Sequence, residues 1–176
     1  MAKEILMYSG ISSWSAESFI SALEDFKDED IVARVNSGGG SVFDGYGMIT
    51  KMNEHTKNIT IKVDGIAASM AFFMLPFANR VESNDVAQFM VHRADAYTPD
   101  QESKDMLGRI NKSMLGKLES KIDAEKFLDE TGTTLKAIFE AEEQTNVWLT
   151  ANQAKKVGLI DKINVGGKMT DVVYQF

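Results

Sequence analysis

The chain has 176 residues and no cysteine, and 26 acidic against 19 basic residues leave a formal charge of -7. That length suits one domain with a real core and leaves no room for a separate regulatory module. The composition excludes disulfides, thiolate metal sites and a cysteine nucleophile, and it provides no basic stripe to neutralise phosphates, so nucleic acid is not an expected partner.

Met1-Ala2-Lys3-Glu4 runs straight into a strand-like segment, Ile5 to Tyr8, with no signal-peptide pattern. No apolar run is long enough to span a bilayer, so the expected location is the cytoplasm, with no membrane partner. Ser15 is the expected cap of the first helix, with Trp14 and Phe19 as a hydrophobic staple. Further strands are expected at Ile31 to Val35, Ile59 to Val63 and Val86 to Val91, with helices between them, which makes the chain α/β. The first of these is followed by Asn36-Ser37-Gly38-Gly39-Gly40-Ser41, after which Ser41 and Asp44 open a helix; the second leads to Gly65-Ile66-Ala67-Ala68-Ser69-Met70 and a helix over 70–77. Thr98-Pro99-Asp100-Gln101 reads as a cap, a first-turn proline and a capping box. Met106, Ile110, Met114, Leu118 and Ile122 then recur every four residues, a narrow stripe on an otherwise charged helix. Gly132 and Gly166-Gly167 read as turns. Thr150 with Gln153 forms another capping box, Gly158 ends that helix, a strand follows over 159–165, and 172–176 suits an edge strand.

The glycine run lets backbone amides approach a substrate, because no Cβ stands in the way. It lacks the Gly-Lys-Ser/Thr ending and the dinucleotide spacing, so no nucleotide is indicated, and an ordinary strand-to-helix turn is the alternative. Ser69 stands at a helix start, where a serine is either an N-cap or a hydroxyl beside free amides that favour developing negative charge. His92 ends an apolar strand and so emerges at the rim of a sheet, where an imidazole titrates near neutrality. His55, in the polar stretch Asn53-Glu54-His55-Thr56-Lys57, fits a histidine with no catalytic duty. A hydroxyl, a base and preorganised donors are the parts of a serine hydrolase.

Asn36-Ser37-Gly38-Gly39-Gly40-Ser41, Ala67-Ala68-Ser69-Met70, Met90-Val91-His92 and Trp148-Leu149-Thr150-Ala151 with Ala154 and Gly158-Leu159-Ile160-Asp161 occur in an order that resembles the ClpP-type serine peptidases of the Clp/crotonase superfamily. The resemblance covers about Glu4 to Ile163. It implies a ClpP/crotonase-like fold of repeated β-α units in a single peptidase domain over 1–176, with a projecting handle helix over about 99–127. It implies no cofactor and no metal, Ser69 as nucleophile, His92 as general base, and the amides of Gly40 and Met70 as oxyanion hole. The family's acidic triad position corresponds here to Asn146, whose carbonyl can accept from Nδ1–H but brings no charge; Glu142 and Glu143 are the alternatives. The implied partners are a peptide or protein substrate and copies of the chain in a homo-oligomeric ring, a heptamer or a stacked double ring. The chain starts almost at its first strand, which puts an ATPase partner in question and favours a phage or prophage head-maturation protease acting on capsid or scaffold proteins. The alternatives are a Clp proteolytic subunit working with an ATPase, an inactive assembly subunit, and a crotonase-like acyl-CoA enzyme. An α/β-hydrolase is disfavoured, because Ser69 lacks the glycine-flanked elbow.

Overall fold

Along β2 (Ile31–Ser37), Ile31, Ala33 and Val35 point one way while Val32, Arg34 and Asn36 point the other, and β3 (Ile59–Ala68) starts with the same alternation. Each strand therefore has one apolar face to bury. β1 (Lys3–Met7), β2, β3, β4 (Arg80–Asn84) and β7 (Lys162–Asn164) line up in that order, all parallel. The computed structural model describes residues 2–96 and 99–165. The expected edge strand over 172–176 and the Gly166-Gly167 turn lie outside the described residues.

Helices α1 (Ser13–Asp25) and α2 (Val42–Glu54) bury Phe19, Leu23, Met48 and Met52 in the same apolar cluster as Ile31, Ile59 and Ile61. The other face of the sheet is polar. On it the Arg34 guanidinium donates twice to the Asp64 carboxylate, at 2.8 and 2.6 Å, and the Tyr8 hydroxyl donates to the same carboxylate at 2.6 Å.

Several boundaries differ from the sequence reading. The first helix is capped by Ser12, whose side chain accepts from the Ser15 amide while Ser15 reciprocates at 2.9 Å. Ser15 is thus the third residue of the box, and Trp14 sits in the first turn, 74% exposed, instead of stapling. Strand β3 continues five residues past Val63, to Ala68. Beyond it, α3 (Met70–Met74) tightens into a 3-10 turn at Leu75–Phe77, where Pro76 has no N–H to continue an α-helix. β5 (Gln88–Val91) starts two residues later than Val86, and β7 is confined to three residues.

The helix expected over 99–127 is two helices. α4 (Gln101–Glu119) is capped by Asp100, whose carboxylate accepts from the Ser103 amide at 2.8 Å; Thr98 lies outside the described residues. Asp123 then caps α5 (Ala124–Thr131), which ends at the left-handed Gly132. The buried face of α4 is Leu107, Ile110, Asn111, Met114 and Leu118, and it packs on α6 (Leu135–Glu140) of the same chain. β6 (Val147–Thr150) and α7 (Ala151–Lys156) complete the order, with the Thr150–Gln153 capping box formed on both sides. Gly158 then turns with a positive φ of 82°.

Candidate active site

β3 serves two partners in succession. It pairs with β4 as far as Val63 opposite Ser83, and then with β5 from Ile66 opposite Gln88 to Ala68 opposite Met90. Ser69 follows immediately, and its amide donates to the Met90 carbonyl at 2.9 Å. Among the described residues it is the one non-glycine with positive φ, at 55° with ψ −122°. Such a conformation costs on the order of 1–3 kcal/mol and persists only where its surroundings enforce it. Its side chain does not cap α3. Instead Oγ lies 2.6 Å from His92 Nε2. The free hydroxyl of the sequence reading, and not the N-cap, is what the fold contains.

Parallel register explains the encounter. With Ala68 level with Met90, the residue after Val91 lies one step beyond Ser69 at the same C-terminal edge, where sites in parallel sheets form. His92 is half-buried, and desolvation holds its pKa below the ordinary imidazole value. Arg93 pushes in the same direction, while the Asp95 charge and the Asn146 side-chain oxygen, as an acceptor for the ring N–H, oppose it. β6 runs antiparallel to β5 with Val147 opposite Val91, so the next pair along is Asn146 and His92. The group on Nδ1, however, is the side-chain amide of Gln144. Gln144 was missed from sequence; it stands two residues before Asn146, in the segment that leads into β6. Two amides therefore converge on this edge of the ring. Neither Glu142 nor Glu143 bonds to His92 among the described residues, and the Glu142 carbonyl accepts from Arg93 at 3.3 Å. His55 donates Nε2–H to the Glu29 carbonyl at 2.9 Å, as suits a histidine with no catalytic duty.

The glycine run closes over Ser69. The Ile11 amide donates to Gly39 at 2.8 Å and the Ser41 amide to Ile11 at 2.9 Å, so Gly40 bridges Ile11 with its own N–H turned to the opposite side. Gly39 has φ 90°, and a Cβ there would stand 2.7 Å from Ser69 Cβ and 2.8 Å from the Met70 nitrogen. Only a bare backbone fits between them. Met70 is buried, and its amide is the first of α3, so it has no partner within that helix. Gly40, Val42, Ser69, His92, Asp95 and Gln144 border a cleft of about 450 Å³. Among the described residues no group of three or more His, Asp or Glu side chains could hold a metal ion.

The Clp protease family profile matches residues 1–166. The chain belongs to the Clp protease family. Its curated relatives include the ATP-dependent Clp protease proteolytic subunit 1 of Prochlorococcus marinus, 27% identical over 93% of this chain and 85% of that protein. The ATP-dependent Clp protease proteolytic subunit of Bacteroides fragilis is 28% identical over 77% of this chain and 64% of its own length. Proteolytic subunit 2 of a Synechococcus strain is 28% identical over 77% and 68%. Membership makes the chain a serine-type peptidase, and in this Clp protease the Ser69–His92 pair is where a hydroxyl meets an imidazole at the cleft. No helix among its described residues is long and apolar enough to cross a membrane.

Proposed function

We propose that this Clp protease hydrolyses peptide bonds through an acyl-enzyme on Ser69, with His92 as its general base and the amides of Gly40 and Met70 as oxyanion hole. The observation that carries the reading is the 2.6 Å Oγ–Nε2 contact made by a serine whose side chain caps nothing. As Oγ attacks the scissile carbonyl carbon, its proton passes to Nε2 and the carbonyl oxygen becomes an oxyanion between the two amides. When the tetrahedral intermediate collapses, the C–N bond breaks and the Nε2 proton goes to the departing amine. Water then gives a proton to Nε2 and attacks the ester, and the same proton returns to Oγ as the acid leaves. An unmade oxyanion contact would cost about 3–4 kcal/mol of barrier.

The relatives named above are proteolytic subunits of an ATP-dependent protease. Their names favour a subunit that degrades protein with an ATPase over one that trims capsid or scaffold proteins in a phage head, and also over an acyl-CoA enzyme. An oligomeric ring of single-domain subunits suits that role. It is supported by the sheet face bearing Leu6, Tyr8, Arg34 and Asp64, which no helix among the described residues buries, whereas parallel sheets are ordinarily covered on both sides. The apolar stripe of α4 lends no support, because α6 already occupies it.

The test is hydrolysis of a short fluorogenic peptide with an apolar residue before the scissile bond. The native chain should cleave it and Ser69→Ala should lose about 10²-fold or more in turnover, less than a triad with a carboxylate on Nδ1 would lose. Equal rates for the two proteins, or none from the native chain in every oligomeric state, would leave an inactive assembly subunit as the better reading.

A further inference from the structure

We propose that Gln144 is the positioning residue of His92, and that the orientation of its amide decides whether the base can accept the serine proton. The proposal rests on the peptidase reading of Ser69 and His92. Its observations are the Gln144 side chain on Nδ1, its place in the wall of the cleft, and the hydroxyl of Ser69 on the opposite nitrogen at 2.6 Å.

A neutral imidazole carries one proton, and whichever nitrogen holds it must donate. With Gln144 Oε1 toward the ring, Nδ1–H donates to it and the Nε2 lone pair is free to take the proton of Ser69. With Gln144 Nε2 toward the ring, Nδ1 accepts, the proton resides on His92 Nε2, and that N–H donates to Oγ. The serine then has no base. The two orientations of an amide differ by a half-turn of a terminal torsion and are nearly isosteric. A carboxylate on Nδ1 only accepts and admits the productive tautomer alone. Asp95, the carboxylate whose charge acts on His92, is engaged with Arg93 at 3.3 Å and with the Ala96 amide at 2.9 Å. On the segment facing the ring, Glu142 and Glu143 make no bond to it among the described residues, which leaves the amides of Gln144 and Asn146.

The test compares the native chain with Gln144→Glu, Gln144→Leu and Asn146→Asp. All three substitutions are at exposed positions, so the core is undisturbed. The readouts are the ¹⁵N shifts of His92, which report the tautomer, and the pH profile of kcat/KM. Gln144→Glu should move His92 toward the Nδ1–H form, raise kcat/KM by about tenfold or more, and raise the apparent pKa of the acid limb by about one unit. Gln144→Leu should move the tautomer and the rate the other way. Unchanged shifts and profiles in both Gln144 variants would overturn the proposal, as would a response confined to Asn146→Asp. A tautomer that follows Gln144 in a chain that hydrolyses nothing would uphold the positioning role and instead refute the peptidase reading.

Discussion

Ser69 combines a strained backbone with an unspent hydroxyl, and the two are linked: the turn that forces φ to 55° also swings Oγ away from the helix it precedes and onto His92. Glycine adopts that conformation without penalty, so Ser69→Gly should be more stable than Ser69→Ala by about 1 kcal/mol, both being inactive. Urea denaturation of the pair measures this, and equal midpoints would mean that the site holds no strain. The imidazole yields a prediction with a definite sign. Burial favours its neutral form, so the proton leaves at a lower pH than from a free imidazole and the base is available there. The acid limb of kcat/KM should therefore fall below about 6.5; a limb at or above that value would mean that the Asp95 charge outweighs desolvation. Ser69 and His92 were legible in sequence because each announces itself locally, one among small residues at a helix start and the other at the end of an apolar strand. Gln144 was not legible. Its meeting with Nδ1 depends on the antiparallel register of β5 and β6, a long-range pairing that no local pattern specifies.

Two elements hold those residues in place. The glycine run presses its backbone against the Ser69 corner, where Gly39 occupies a gap that cannot take a methyl group. Gly39→Ala should displace the Met70 amide and lower kcat by about 10²–10³-fold, the size of one lost oxyanion donor, while circular dichroism stays native. A fully active variant would show that the gap yields at no cost to the site. From the other side, α4 reaches the segment after His92 through buried Asn111, whose Oδ1 accepts from the Ala94 amide at 2.7 Å and whose Nδ2 donates to the Ala94 carbonyl at 3.0 Å. Asn111→Ala should cost about 2–3 kcal/mol in urea unfolding and lower kcat more than it raises KM, because it frees the segment bearing the base; a loss under about 0.5 kcal/mol would contradict that role. The strand–helix alternation was read from sequence because short, apolar, partly β-branched runs such as Ile31 to Val35 and Ile59 to Val63 are separated by segments that read as helices. The dual pairing of β3 was not, because Asp64-Gly65 interrupts its period where it exchanges β4 for β5. The caps at Ser12 and Asp100 were displaced from the expected ones for a simpler reason: several competent acceptors stand side by side in Ser12-Ser13-Trp14-Ser15 and Thr98-Pro99-Asp100, and only the three-dimensional path of the chain selects between them.

At the scale of the molecule, the parallel strands buried on one face by α1 and α2 carry a polar opposite face with exposed Leu6 and Tyr8 beside the Arg34–Asp64 pair. If neighbouring copies cover that face in a ring, sedimentation velocity at micromolar concentration should give a species several times the monomer, and a strict monomer would remove the ring. The Ser69–His92 contact lies within one chain, so the proposed chemistry can be probed in whatever assembly forms. The most direct measurement is covalent labelling of the native chain with a fluorophosphonate, followed by mass-spectrometric location of the adduct. The phosphorus is expected on Oγ of Ser69, with labelling abolished in Ser69→Ala and strongly slowed in His92→Ala. An adduct on another serine, or labelling of Ser69 at the same rate without His92, would contradict the claim that these two side chains form a working nucleophile and base.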